Sequence, residues 1–197
     1  MAVRDELGNL CNRKVRLHLR SLGMPRVPEF NALRNAQRIY GQYGICIEFA
    51  SGQSIPAAVD AVNQTLSLSA VDVGSCTMSQ SMTIQQTALF NHGSRQFARS
   101  TDITCYWVQN VQSEGKGLAG CAAHPSGPLN SRGACVIAAA ASPWTLAHEV
   151  GHVLGLRHST KNREMMFTPT SSIAALLPSI SEADLRTVMA SPYCVWS

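Results

Sequence analysis

The stretch HEVGHVLGLRH, residues 148–158, holds three of the chain's six histidines, at offsets of zero, four and ten. On a helix, His148 and His152 lie one turn apart and face the same side, so two imidazoles can share one metal ion. Glu149 follows the first histidine directly, and its carboxylate can lie beside that ion without binding it. A glutamate so placed is suited to act as general base on a zinc-bound water. A continuing helix would carry His158 nearly three turns beyond His148, so the chain must leave the helix and turn back. Gly155 permits this, because glycine adopts positive φ at little cost. The outcome is three neutral nitrogen ligands and one open position, the arrangement of catalytic zinc rather than of a closed structural site. With background usage of roughly 2% for His and about 6–7% for Glu and Gly, five such fixed positions match by chance with a probability on the order of 10⁻⁵. That magnitude decides against the bland alternative, an amphipathic helix whose histidines line up by accident.

These residues need elements to hold them. The spacing predicts a helix over 143–154, capped by Ser142 with Pro143 at its first position. Before it, GACVIAAAAS (133–142) is a continuous apolar run, as in a buried central strand. GKGLAGCAAHPSG (115–127) is short, rich in small residues and flanked by glycines, which suits an edge strand. DITCYWVQNV (102–111) reads as a further strand. In RKVRLHLRSL (13–22), Val15, Leu17 and Leu19 face one way and Arg16, His18 and Arg20 the other, so a half-buried strand with a solvated His18 is expected. VPEFNALRNAQRIYGQYG (27–44) opens with Pro28 and Glu29 and carries Phe30, Leu33, Ala36, Tyr40 and Tyr43 at helical spacing, with Gly44 to end it. ICIEFAS (45–51) follows as a strand, and strand, helix, strand suggests a parallel crossover. Residues 52–100 are the least readable. LSLSAVDVGSC there looks extended, QSMTIQQTALFNHGS can hold a short helix, and His92 falls in a loop. SEADLRTVMAS (181–191) opens with a capping-box-like Ser181…Asp184 and forms a last helix.

HSTKNREMMFTP (158–169) continues the histidine motif. Together the two resemble the signature of the metzincin superfamily of zinc metallopeptidases, HExxHxxGxxH followed by a methionine turn. The continuation resembles that of matrixins, where a methionine and an aromatic come eight and nine residues after the third histidine. Met166 and Phe167 fall there, and Met165 is the neighbouring candidate. GLAGCAAHP and TLAHEVGH are similar to the matching stretches of matrixins and adamalysins. There are departures: the proline after the aromatic comes one residue late, as Pro169, and the pocket-wall tyrosine is missing from FTPTSSI. No structural-zinc or calcium segment of the matrixin kind and no cysteine-switch segment is found.

The resemblance implies an α+β fold: a five-stranded, mixed but mostly parallel, twisted sheet, with an active-site helix and a C-terminal helix as its two long helices. It implies one catalytic domain over 1–197, in which a zinc cleft separates residues 1–155 from a smaller part, 156–197. It implies one Zn²⁺ on His148, His152 and His158, Glu149 as catalytic base, and Met166 (or Met165) as an apolar floor beneath the metal. Glu164 and His124 are the nearest substitutes for the third ligand; His124 otherwise belongs at the cleft rim. A protein or peptide substrate would lie extended along the edge strand at Ala119, Cys121 and Ala123. Phe167, Thr168 and Pro169 would wall a side-chain pocket. The activity implied is that of a zinc endopeptidase. The rivals are a zinc-containing toxin, effector or binding module, against which an intact Glu149 argues, and a zinc hydrolase of a non-protein amide.

Composition bounds the rest. A chain of 197 residues, 45% hydrophobic and 14% charged, is long enough for a sizeable core in one domain. Eight of its sixteen Lys and Arg lie in the first fifty residues, with no run longer than Arg13-Lys14. A solvated basic face is expected rather than a nucleic-acid stripe. The sequence shows no transmembrane run, and MAVRDELGNLC has no apolar core of a signal peptide. Seven cysteines, Cys11, Cys46, Cys76, Cys105, Cys121, Cys135 and Cys194, form no CxxC pair. They suggest disulfides and a secreted, extracellular or periplasmic monomer, with a leader absent from this chain. A Cys121–Cys135 bridge across an edge hairpin is expected. The competing arrangement makes Cys11–Cys194 the only bridge.

Overall fold

In chain order, the computed structural model contains β1 (Val3–Arg4), β2 (Leu10–Cys11), β3 (Arg13–Ser21), α1 (Glu29–Gly41), β4 (Ile45–Ser54), β5 (Ala58–Ala61), β6 (Gln64–Ser67), β7 (Ala70–Asp72) and α2 (Ile84–Asn91). There follow β8 (Ile103–Val108), β9 (Asn110–Ser113), β10 (Lys116–Leu118), β11 (Gly120–Ala123), β12 (Gly133–Ala138), α3 (Thr145–Val153), α4 (Glu182–Ala190) and β13 (Val195–Trp196). The structure describes all residues except 1–2, 5–6, 9, 62–63, 77–81, 92–97 and 124–132. His92, His124 and most of the loop after β11 therefore lie outside the described residues.

The main sheet runs β11-β12-β8-β3-β4, with the two-residue β13 pairing the start of β3. β12, β8, β3 and β4 are parallel, and the edge strand β11 is antiparallel to β12. The chain is thus α+β with a parallel-rich sheet, and β3-α1-β4 is the expected parallel unit. All six positions of β8 and of β12 are buried, because both faces of the sheet are covered. On one face Leu17, Ile103 and Ile137 pack with Leu33, Ile39 and Tyr40 of α1 and Leu146, Val150 and Val153 of α3. On the other, Tyr106, Val108 and Val136 pack with Leu68, Val71, Leu89, Phe90 and Val111. The hard-to-read region 52–100 supplies much of that second cover.

The cover explains one correction. His18, expected in solvent, is buried, as is Arg20. The strand alternates as read, but its polar face is closed over. The β3–β4 register shifts between Leu17 and His18, which sets Ser51 opposite His18. His18 Nδ1 meets Ser51 Oγ at 2.8 Å and Nε2 meets Asp102 Oδ2 at 2.9 Å. Arg16 reaches both Asp102 oxygens at 3.3 and 3.2 Å. A buried carboxylate has gathered hydrogen-bond donors that local periodicity does not reveal.

Boundaries move for local reasons. α3 begins at Thr145 because Ser142–Thr145 forms a turn in which Thr145 N donates to Ser142 O, while Ser142 Oγ accepts from Trp144 N. α3 and α4 have nine residues each, fewer than the thirteen of α1. Ser181 caps α4 through Asp184 N as expected. The edge segment breaks at Ala119, and β10 joins β9 and β7 in a separate three-stranded sheet.

The expected disulfides are both corrected. Cys121 faces Val136, and Cys135 faces Ala122. One residue of register puts the two thiols on opposite faces of the sheet: Cys121 in the second-face core, Cys135 in the first. Cys121 instead bonds Cys76, with Cα atoms 6.0 Å apart. Cys11 bonds Cys46, 5.5 Å away on neighbouring β4, and not Cys194. Cys105, Cys135 and Cys194 are buried free thiols. Among the described residues, no helix is long and apolar enough to cross a membrane.

Candidate metal centre

α3 ends in a Schellman turn. Gly155 has φ +101°, its N–H donates to His152 O, and Leu156 N donates to Gly151 O, both at 2.9 Å. This pattern satisfies the last carbonyls of the helix and reverses the chain. It buries Leu156 and carries His158 back beside the helix. His152 Nε2 lies 3.1 Å from His148 Nε2 and 3.1 Å from His158 Nε2. The three residues form one group able to hold a metal ion, with ligand atoms all within 4.8 Å of one another.

The protonation pattern follows from the backbone. His148 Nδ1 is 3.0 Å from Met165 O, and His152 Nδ1 is 2.8 Å from Leu156 O. Carbonyls only accept, so both Nδ1 atoms carry the proton, and in the neutral rings both Nε2 atoms are bare lone pairs. Burial lowers the His148 pKa to about 4; the Met165 carbonyl opposes this, and His158 adds to it. Burial also lowers His158. Neutral rings whose lone pairs face one another cannot hydrogen-bond each other, but they suit a cation placed between them. Nitrogens about 2.0–2.1 Å from a tetrahedral zinc lie roughly 3.3 Å apart, close to the 3.1 Å separations here. The donor set fits zinc, and the carbonyls on Nδ1 are the outer partners that orient such rings.

Glu149 is buried beside this group, and burial pushes its pKa up to about 8. Gly120 of the edge strand touches it: a Cβ at Gly120 would stand 2.7 Å from Glu149 Oε1. Any larger residue would therefore push the carboxylate aside. Gly151 plays a similar part below, since a Cβ there would lie 2.6 Å from Met166 Sδ and 3.0 Å from Met165 Cε. Both methionines are buried under α3; Met165 also supplies the carbonyl for His148.

A cleft of about 880 Å³ opens in front of the histidines. Of the residues anticipated along it, Ala119, Thr168 and Pro169 line it, with Glu149 and the three histidines. Cys121 and Phe167 are not among its lining residues. Cys121 is buried in its bridge to Cys76, and Phe167 is half-buried in the turn, its N–H donating to Glu164 O. The side chain of Ala123 lies outside the described residues. Lining residues that sequence reasoning missed include Cys76, Ser113, Leu118, Gly120, Arg157 and Thr170. Only Gly120, inside the edge-strand stretch GLAGCAAHP, carried a signal: a glycine where two backbones or a functional side chain must come close. Thr170 is held by its hydroxyl, 2.9 Å from that of Thr145 at the start of α3. Glu164 is not in the three-histidine group. Its carboxylate accepts from Ser159 and from Lys161 Nζ, and these bonds, Ser159 first, lower its pKa.

The matrixin family matches residues 40–191 of this sequence. Among solved structures, metalloproteinase-II from Bacteroides fragilis superposes with a TM-score of 0.58 at 14% identity, covering 90% of this chain and 53% of that one. The chain thus spans about half the length of that protein. Archaemetzincin from Methanopyrus kandleri superposes with a TM-score of 0.51 at 14% identity, covering 89% of this chain and 94% of that one. At such identity these neighbours speak for the fold alone. No curated protein sequence matches. The family match covers most of the chain, includes the histidine motif and its methionine turn, and coincides with a parallel-rich sheet carrying a helix and turn that bring three imidazoles together; the chain belongs to the matrixin family of zinc-dependent peptidases.

Proposed function

We propose that this chain is a zinc endopeptidase, folded as one catalytic domain, in which His148, His152 and His158 hold a single Zn²⁺ and Glu149 moves the proton. The observation that carries the reading is the convergence of His148 Nε2 and His158 Nε2 on His152 Nε2, each at 3.1 Å, with two Nδ1 atoms committed to carbonyls. Zinc bound there supplies Lewis acidity, lowering the pKa of a water toward 7 and polarising a carbonyl. Glu149, adjacent to the first ligand and held off solvent, accepts the water's proton on a carboxylate oxygen and hands it to the leaving amine. Gly120 keeps the space that this carboxylate occupies.

The substrate is a peptide lying extended along β11. Ala138 N donates to Ala119 O, so by antiparallel alternation Gly120 and Ala122 turn their N–H and C=O groups away from β12, toward an added strand. Thr168, Pro169 and Thr170 wall the side-chain pocket beyond the metal centre. The working form is a monomer, and it acts outside the cytoplasm, a location that two disulfides support. Digestion of a mixed peptide library tests the proposal. Internal cleavage that a zinc chelator abolishes and added zinc restores is expected. Zinc-loaded, folded protein that cleaves no peptide, or cleavage indifferent to the chelator, would overturn it.

A further inference from the structure

Arg157 is exposed and lines the cleft directly beside the histidine group. Its backbone is not free to wander. Leu156, one residue before, is buried and gives its carbonyl to His152 Nδ1; His158, one residue after, presents its Nε2 to His152. The base of the Arg157 side chain is therefore fixed to the frame of the metal centre, while its guanidinium makes no ion pair among the described residues. The acid of the same loop, Glu164, is already taken by Ser159 and Lys161. Elsewhere the described cleft wall is neutral, with Ser75, Ser113, Gly117, Leu118 and Thr168 among its residues; Glu149 is its one acid.

A permanently charged, planar donor with five N–H groups, set at the edge of a peptide-sized cleft, matches a carboxylate in two-point geometry. We infer that Arg157 is a specificity-determining residue that selects peptides carrying Asp or Glu near the scissile bond. This rests on the endopeptidase reading above and adds a substrate class to it. Consecutive Cα atoms are about 3.8 Å apart, and an extended peptide advances about 3.3–3.4 Å per residue. The favoured acid therefore falls within about four residues of the cleaved bond. The pair stays partly exposed, so the gain is modest, about threefold to tenfold in kcat/KM, and salt erodes it.

The test uses zinc-loaded protein and matched peptides in which Asp, Asn or Lys is moved through the four positions on either side of one cleaved bond. Wild type should favour Asp over Asn about threefold to tenfold at one position at low salt, and less at high salt. Arg157→Gln should bring that ratio near one, and Arg157→Glu should favour Lys there, with zinc content unchanged in both. An Asp-to-Asn ratio in Arg157→Gln equal to that of wild type overturns the inference while leaving the endopeptidase reading intact. The same holds if wild type cleaves every peptide alike. Zinc-loaded wild type that cleaves none of them overturns both. Should Arg157→Glu fail to fold, Arg157→Gln alone decides.

Discussion

His18 and His148 are equally buried, at 3% exposure each, and both hang from elements of the same sandwich, yet their nitrogens are used in opposite ways. His18 is closed. Asp102 can only accept, so Nε2 carries the proton, and Ser51 Oγ, which accepts from Arg20 Nη1 at 3.1 Å, gives its own hydrogen to Nδ1. No lone pair is left over. His148 is closed on one side by the Met165 carbonyl, and its Nε2 faces Nε2 of His152, which in turn faces Nε2 of His158. Burial alone does not mark a functional histidine. What marks it is a buried lone pair aimed at other lone pairs, an arrangement that costs free energy unless a cation fills it.

The sharpest contrast comes from Glu149→Ala. General-base assistance is typically worth 10²–10⁴-fold, and in the proposed mechanism this group also delivers the proton to the amine, so peptide hydrolysis should fall by at least that much while zinc content and fold persist. Turnover within a few-fold of wild type would remove Glu149 from the chemistry. Next in size is His18→Ala, which strips one partner from a fully buried Asp102. Losing a hydrogen bond to a charged group costs about 1.5–3 kcal/mol, and the cavity left by a buried ring adds to it, so urea unfolding should show a loss of about 3–5 kcal/mol. Zinc content and the cleavage profile should not change; loss of zinc would blur the division between the two clusters.

How far each cluster was legible follows from where its parts lie in the chain. The candidate metal centre is nearly local: two histidines on one helix, a glycine turn and a third histidine within eleven residues, then a methionine turn. Helical period and one positive-φ glycine are enough to bring these together. The His18 network joins residues 84 positions apart, and nothing in RKVRLHLRSL says that Asp102 waits opposite. Its alternation was real, but solvent does not lie on the polar face, because Leu68, Val71, Leu89, Phe90 and Val111 are among the residues that cover the sheet on its second side. The cysteines failed for a related reason. Cys121 and Cys135 do sit on paired strands, but their register is off by one, and a period of two turns that single step into opposite faces. Gly120 and Arg157 escaped notice because their roles depend on what stands across the cleft, not on their neighbours in sequence.

The Cys76–Cys121 bridge ties the turn after β7 to the edge strand that flanks the cleft, its cysteines 45 positions apart in sequence. In the chain-entropy picture, closing a loop of that size stabilises by up to about 4 kcal/mol, and measured values commonly run 2–4. Cys76→Ser with Cys121→Ser should lower unfolding stability by about 2–4 kcal/mol and raise KM more than it lowers kcat, since Cys76 lines the cleft and takes no part in proton transfer. Unchanged stability would mean that the two sheets are already held by their apolar packing.

The smallest effect separates the titrating groups. In chelated protein, burial holds the Glu149 pKa at about 8 against an ordinary 4.5, and holds His148 at about 4 against 6.5. Glu149 makes the folded state bind a proton that the unfolded state has lost, so stability falls as pH rises from about 4.5 to 8. His148 acts with the opposite sign, its contribution falling as pH drops from about 6.5 to 4. Between pH 6.5 and 8 Glu149 acts alone. At about 1.4 kcal/mol per pH unit, stability should decline there by about 2 kcal/mol at most. Glu149→Gln should flatten the slope. A slope that survives in the variant would assign the titration to another group.

The central claim is that His148, His152 and His158, and no other side chain, hold one zinc. Metal analysis of purified wild type beside His148→Ala, His152→Ala, His158→Ala and His18→Ala tests it most directly. We expect one zinc per chain in wild type and in His18→Ala, and sharply reduced zinc in each of the other three, because two imidazoles bind far less tightly than three. Full zinc in His158→Ala would contradict the account and pass the third position to another donor.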